Sequence, residues 1–173
     1  ETETDISHEH ATDLQQQVND FNKGIAIDGS VFEANETPFS YGMACYPEKH
    51  EEAPNMESDI FYLKEKVKNG ADYLVTQMFF DNEKYYAFVD RCRAEGITVP
   101  IIPGIKPIVF KNQLTVLPKI FRSDIPEPFA TELRKCKTDD EAKAVGVEWC
   151  IQQCKDLIAH GVPSLHFYTM MAS

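Results

Sequence analysis

The stretch at residues 71–81, Ala-Asp-Tyr-Leu-Val-Thr-Gln-Met-Phe-Phe-Asp, restricts the folds open to this chain more than any other. Residues 73–79 form an apolar run of strand length, rich in β-branched and aromatic side chains, without the clean alternation of a half-exposed strand. A strand of this kind is covered on both faces, as in a parallel sheet, and the C-terminal ends of parallel strands carry the chemistry. Here that end presents Gln77 and Asp81. An amide in so apolar a strand requires a partner, either a neighbouring backbone group or a ligand.

The rest of the chain repeats this plan. Leu14, Val18 and Phe21 recur at helical spacing over residues 11–24, with Thr12 or Asp13 near the start and Gly24 as the stop. Residues 25–38 read as an irregular connection with room for a short hairpin. Residues 39–45 then read as a strand broken by Tyr46-Pro47. A polar loop holding Glu48, Lys49, His50, Glu51 and Glu52 follows. Asn55 is placed to cap the next helix, which carries Ile60, Leu63 and Val67 and stops at Asn69-Gly70. After the central strand, Asp81 is a natural N-cap for a helix whose apolar face is Tyr85, Phe88, Val89 and Cys92. Residues 99–108 read as a third strand interrupted by Pro103-Gly104, a pair that bends the backbone and admits close approach. Helices are expected over 113–121, 127–136 and 139–160, and residues 165–169 close the chain as a fourth strand.

A leading helix followed by strands that alternate with helices predicts a parallel α/β architecture with right-handed crossovers. Four such (β/α) units are half of a TIM (β/α)8 barrel, whose usual size is roughly 250 residues. An open four-stranded sheet of flavodoxin type is the alternative. Against it, polar and aromatic residues gather at the C-terminal end of every strand: Tyr46 and His50, Gln77 and Asp81, Lys106, and His166 with Tyr168.

At 173 residues and 43% hydrophobic content the chain suffices for one core and one domain. A net charge of -11 and a pI near 4.8 argue against nucleic acid or an anionic membrane surface as partner. No apolar run approaches the roughly 20 residues of a membrane span, and no secretory leader pattern precedes the fold. A soluble protein is expected. The odd set of five cysteines, without a C-x-x-C pair, argues against a disulfide framework and for the reducing cytoplasm. Cys150 and Cys154 have the spacing of half a metal site but read as packing residues, so no metal is assigned. His8 and His10 read as solvated loop histidines. The start at Glu1, without an initiator Met, leads us to expect a trimmed or partial product.

No G-x-G-x-x-G, Walker loop, G-x-S-x-G or H-E-x-x-H occurs, which removes glycine-loop phosphate binding and serine or zinc hydrolysis from consideration. The remaining candidates each carry two readings. Lys64, Lys66 and Lys68 are a phosphate-pairing cluster or a solvated helix face. Asp59 complements the helix dipole or holds a ligand hydroxyl. Tyr46 packs or stacks on a planar ring. His50 pairs with the neighbouring carboxylates or donates to a ligand.

Six runs in fixed order settle between these readings: Tyr46-Pro-Glu-Lys-His50, Asn69-Gly-Ala-Asp72, Thr76-Gln-Met-Phe-Phe-Asp81, Asp90-Arg-Cys-Arg93, Ile102-Pro-Gly-Ile105 and His166-Phe-Tyr-Thr169. Together they make the chain, from His10 onward, resemble the C-terminal half of methylenetetrahydrofolate reductase. The resemblance implies a (β/α)8 barrel that holds FAD, takes hydride from NAD(P)H and reduces 5,10-methylenetetrahydrofolate to 5-methyltetrahydrofolate, in one-carbon metabolism and methionine biosynthesis. It makes Tyr46 and His50 flavin contacts, Asp59 a partner of the cofactor's hydroxyls, Lys66 a partner of its phosphates, and His10 a further residue near the flavin. It makes Gln77 a hydrogen-bond partner of the pterin and Gln113 a second folate contact, and it puts Tyr168 near the substrate face. These types suit the roles, because a pterin edge asks for an amide that both donates and accepts.

The departures bear on activity. The family's general-acid glutamate, in a Glu-Phe-Phe-Pro segment, and its Arg-Gly-Asp run both belong to the N-terminal half and have no counterpart here. Tyr62, Glu65, Leu117 and Met171-Ala172 also differ from residues seen in some members, and no final barrel helix follows Ser173. The resulting expectation is a half-barrel from a folate-reducing flavoenzyme, inactive or nearly so by itself. It is completed by a homo-oligomeric partner or a supplied half, or is a stable folding unit that self-associates through open sheet edges.

Overall fold

The computed structural model of the chain describes residues 8, 10–34, 36–48 and 55–169. Among them it forms six helices and five short strands, in the order α1 (Ala11–Asn22), β1 (Gly42–Cys45), α2 (Met56–Lys68), β2 (Tyr73–Thr76), α3 (Asn82–Ala94), β3 (Ile101–Ile102), β4 (Gly104–Ile105), α4 (Gln113–Phe121), α5 (Glu127–Lys135), α6 (Asp139–Ala159) and β5 (His166–Phe167).

All the strands pair in parallel. β1 lies beside β2 with Gly42 opposite Tyr73 and Cys45 opposite Thr76, and β2 lies beside β3 with Leu74 opposite Ile101. β4 pairs with β5, Gly104 opposite His166. Only Pro103 separates β3 from β4, so the expected third strand is present but divided at its Pro-Gly pair, because proline has no N–H to give the ladder. Side chains join the two parts. The Gly104 N–H donates to Thr76 Oγ1 (2.8 Å), and the Tyr168 hydroxyl donates to the Thr76 carbonyl (2.8 Å). A Cβ at Gly104 would lie 2.3 Å from the Thr76 carbonyl oxygen and 2.6 Å from the Tyr168 ring, so this junction needs glycine for its closeness of approach.

Local chemistry fixes the helix starts. The Asn55 side chain accepts from the Ser58 N–H, Asp81 from Glu83, and Thr138 from Glu141, each satisfying an otherwise unpaired first-turn donor. Gly24, after α1, takes the positive φ expected of a helix stop, and residues 25–31 close a short antiparallel bridge.

Two apolar clusters fill the molecule. One packs Cys45, Leu74, Ile101 and Ile105 against Leu63 of α2, Phe88 and Cys92 of α3, and Cys150 and Leu157 of α6. The other packs Met78, Phe80, Ile108 and Leu117 against Phe129 and Leu133 of α5, with Phe129 stacked on Trp149 at 4.5 Å. Four of the five unpaired cysteines are buried and Cys154 is half-buried. Burial pushes the Cys92 and Cys150 thiols up to about 12, which leaves them inert packing groups.

Candidate functional site

The C-terminal ends of β1, β2, β4 and β5 meet. Gln77 extends β2 by one ladder bond, its N–H donating to the Cys45 carbonyl (2.8 Å). Tyr168 follows β5, donates its N–H to Ile105 (2.8 Å) and reaches across β4 to Thr76. Its phenol is raised, first by burial and then by the nearness of Cys45 and Tyr46. Tyr46, Gln77 and Tyr168 therefore stand around one rim, with Lys106 buried beside it. Tyr168 spends its hydroxyl on the sheet and presents its ring, edge-on to His166 at 4.7 Å.

The two predicted amides are partly committed. Gln77 Oε1 accepts from the next N–H, that of Met78 (3.0 Å), which is the backbone alternative for its oxygen. Gln113, first residue of α4, uses Oε1 to accept from Val109 (2.8 Å) and Phe110 (3.2 Å), shaping the loop after β4. In each case the amide NH2 has no partner among the described residues and is the group a ligand could take.

Asp59 and Lys66 lie in the first and last turns of α2 and are both half-buried. Seven residues on a helix are about two turns and about 10 Å, on nearly the same face. A ligand held by both must run lengthwise along α2. Both act on the buried Cys45, whose thiol burial raises most, with Lys66 lowering it and Asp59 raising it. They thus flank the tip of β1, the strand that also carries Tyr46. His10 caps α1 on the exposed side, its N–H donating to Asp13 (2.9 Å). α1 docks on the end of α2, since Gln15 Nε2 donates to the Lys66 carbonyl (2.7 Å) and to the Tyr41 hydroxyl (3.0 Å). His50 lies outside the described residues.

The structure adds an ionic group that the sequence reading missed. Glu48, two residues after Tyr46, accepts from Lys84 Nζ and from the Asp124 N–H (3.2 Å), and Lys84 also donates to the Asp124 carboxylate (2.7 Å). It ties the β1–α2 loop to the start of α3 and to the α4–α5 connection. Burial raises the Glu48 carboxyl, against the hydrogen bonds that lower it, and Oε2 is buried without a hydrogen bond among the described residues. Burial works against the charge on Lys84, yet its bonds to Asp124 and Glu48 raise it above the ordinary lysine value. The run of carboxylates after β1 was the only sequence signal, because the partners lie 36 and 76 residues away.

Other grooves lie elsewhere. One of about 440 Å³ runs along α1 over Leu14, Val18, Phe21 and Phe39, and another of about 400 Å³ lies between Phe80, Pro126 and Trp149. Asp81 lines the second, but neither includes a residue given a flavin or folate role.

Comparison with known proteins identifies the family. The family model described as methylenetetrahydrofolate reductase matches residues 5–173. The chain is 42% identical over 134 residues to the probable methylenetetrahydrofolate reductase (NADPH) of Caenorhabditis elegans, a match covering 76% of this chain and 20% of that protein. It is 38% identical over 142 residues to methylenetetrahydrofolate reductase (NADH) 1 of Arabidopsis thaliana, covering 76% and 24%. It is 38% identical over 133 residues to the 5,10-methylenetetrahydrofolate reductase of Pectobacterium carotovorum, covering 76% and 45%. The chain thus spans about a fifth of the first of these relatives and under half of the bacterial one. Among solved structures, an uncharacterized protein from Clostridium thermocellum, which binds two copies of 5-methyl-5,6,7,8-tetrahydrofolic acid, shares the fold. Its TM-score is 0.51 at 18% identity, over 75% of this chain and 46% of that one.

Proposed function

The chain belongs to the methylenetetrahydrofolate reductase family, and on that premise we propose that it is the C-terminal half of a (β/α)8 barrel that reduces 5,10-methylenetetrahydrofolate to 5-methyltetrahydrofolate. In this reading a first half, from a longer parent chain or an oligomeric partner, closes the barrel against β1 and β5. It also supplies the general acid, so the 173 residues alone are inactive. The observation that carries the reading is the convergence of Tyr46, Gln77 and Tyr168 at the strand ends of two parallel sheets, β1-β2-β3 and β4-β5, joined through Thr76, in which β1 and β5 are each paired on one side only among the described strands.

FAD is the cofactor we propose, with NAD(P)H as reductant, since the relatives' names cite both nucleotides. The donor set suits an elongated dinucleotide: Asp59 and Lys66 along one flank of α2 offer an acceptor for hydroxyls and a cation for phosphate. When bound, FAD would relay hydride from the nicotinamide to the folate. Tyr46 offers a ring for stacking at the tip of β1, and His50, four residues later in the sequence, is the donor we propose beside it. Gln77 offers an NH2 to the pterin while Met78 holds its oxygen, so the amide arrives already oriented. Gln113 does the same from α4, and Tyr168 walls the far side. The five unpaired cysteines suit a cytoplasmic location.

A FAD titration of the chain with and without its first half tests this reading. Flavin uptake that requires the completed barrel and falls with Lys66→Ala supports it. Uptake indifferent to Lys66→Ala, or none in the completed barrel, overturns it. A second reading follows from the same open edges: the chain is a non-catalytic unit that self-associates. A dimer indifferent to FAD would favour that.

A further inference from the structure

Lys106, one residue beyond β4, is 1% exposed. Its ammonium donates to the Pro107 carbonyl (3.1 Å) and enters no ion pair among the described residues. Fully buried lysines almost always have a counter-charge, because an unpaired cation in the interior is costly. The segment around it is apolar, with Ile105 before it and Ile108 two residues on both fully buried in the core. Burial lowers the Lys106 pKa, and the titratable group that faces it is the thiol of Cys150 on α6, itself hydrogen-bonded to Cys154.

Two hydrogen bonds locate the backbone that carries this charge. Gly104 meets Thr76 through a hydrogen bond, so the backbone of Lys106, two residues later, lies near the tip of β2. The Ile105 carbonyl receives the Tyr168 N–H, so Lys106 also borders the tip of β5. A cation without an ion pair among the described residues is thus carried by the segment that borders the strand ends forming the rim.

We propose that Lys106 is a positioning residue acting through the field of its charge: it makes a flavin ring bound at the rim easier to reduce, without touching it. The inference rests on the FAD reading above. Reduction adds negative charge to the ring, and a fixed cation a few residues away in low dielectric stabilises that form over the oxidised one. The carbonyl partner leaves the charge intact, whereas a carboxylate would cancel it.

The test is a redox titration of the FAD-loaded complete barrel carrying wild-type, Lys106→Met or Lys106→Arg sequence, followed by flavin absorbance across a range of pH. Lys106→Met should weaken binding of reduced relative to oxidised flavin about tenfold, a fall of about 30 mV for a two-electron couple. Lys106→Arg should keep the wild-type potential. On raising the pH, the wild-type potential should drop towards that of Lys106→Met as the ammonium loses its proton, a reading that survives even if a variant fails to fold. Equal potentials in wild type and Lys106→Met, an arginine variant matching the methionine one, or a wild-type potential with no such alkaline step would each overturn the proposal. If the wild-type barrel takes up no FAD, the cofactor reading falls and this inference with it. If it takes up FAD normally and the potentials coincide, only the role of Lys106 falls.

Discussion

At Gly104 the absence of a single methyl group lets β4 touch β2. An added Cβ would meet the Thr76 carbonyl at 2.3 Å, and backbone on both sides prevents either atom from yielding. Gly104→Ala should therefore destabilise the fold by about 2 kcal/mol, as overpacked sites do, read as a lower urea midpoint at unchanged slope. Lys106 makes the opposite prediction. Its folded pKa lies below the lysine value of 10.5, so the unfolded chain binds the proton more tightly. Stability is therefore lost as pH falls from the unfolded value through the folded one. Lys106→Met should abolish that alkaline slope and raise stability at neutral pH by about 1 kcal/mol or more, in line with apolar replacement of buried charges. Thermal melts between neutral and alkaline pH measure both effects, and a variant less stable than wild type at neutral pH would refute the sign. The sequence made the Pro103-Gly104 break legible because proline and glycine act locally. It gave no sign that Thr76, 28 residues earlier, is the partner, or that Lys106 is buried, because lysine at a strand tip is ordinarily solvated.

Among the elements, β2 shows why a pattern can be right about burial and wrong about backbone. The run at residues 73–79 is buried or half-buried throughout, yet the strand ends at Thr76. Beyond Gln77 the carbonyls leave the ladder for side chains: Met78 accepts from Ser123 (2.7 Å), Phe79 from Gln153 (3.2 Å) and Phe80 from Trp149 (2.9 Å). Phe79 and Phe80 then enter different cores. Helices were more legible than strands, since caps are local. Asn55, Asp81 and the 139 start were each readable from one or two residues, and α4 spans the expected Gln113–Phe121. Asp81 also closes the segment that carries the β2 tip into α3, so Asp81→Ala should cost about 1 kcal/mol through loss of the bond from Glu83. A midpoint shift near zero would mean that Asn82 and its bonds to Asp156 (2.8 Å) and to the Gln153 carbonyl (3.1 Å) hold the start of α3 alone.

At the scale of the molecule, the unpaired faces decide behaviour. β1 and β5 each lack a neighbour on one side among the described strands, and both residues of β5 are exposed, Phe167 at 48%. α1 also turns Leu14 and Phe21 outward, beside an exposed Phe39. Paired parallel strands are normally covered, and an uncovered edge offers its backbone donors and acceptors to any strand that arrives. The net charge of -11 opposes self-association at long range but is screened within about 8 Å at physiological salt, so it cannot protect an edge in contact. The chain alone should therefore associate at micromolar concentration, more strongly as salt rises, with Phe167→Lys reducing the association by charging the β5 edge. On the half-barrel proposal, addition of a first half should replace the self-associated species with a single 1:1 complex, because it would give β1 and β5 a neighbour at once. Sedimentation across a salt series measures each step. A monomer at all concentrations, unaffected by Phe167→Lys, would mean that the edges are already satisfied within the chain and that no first half is needed to close the fold.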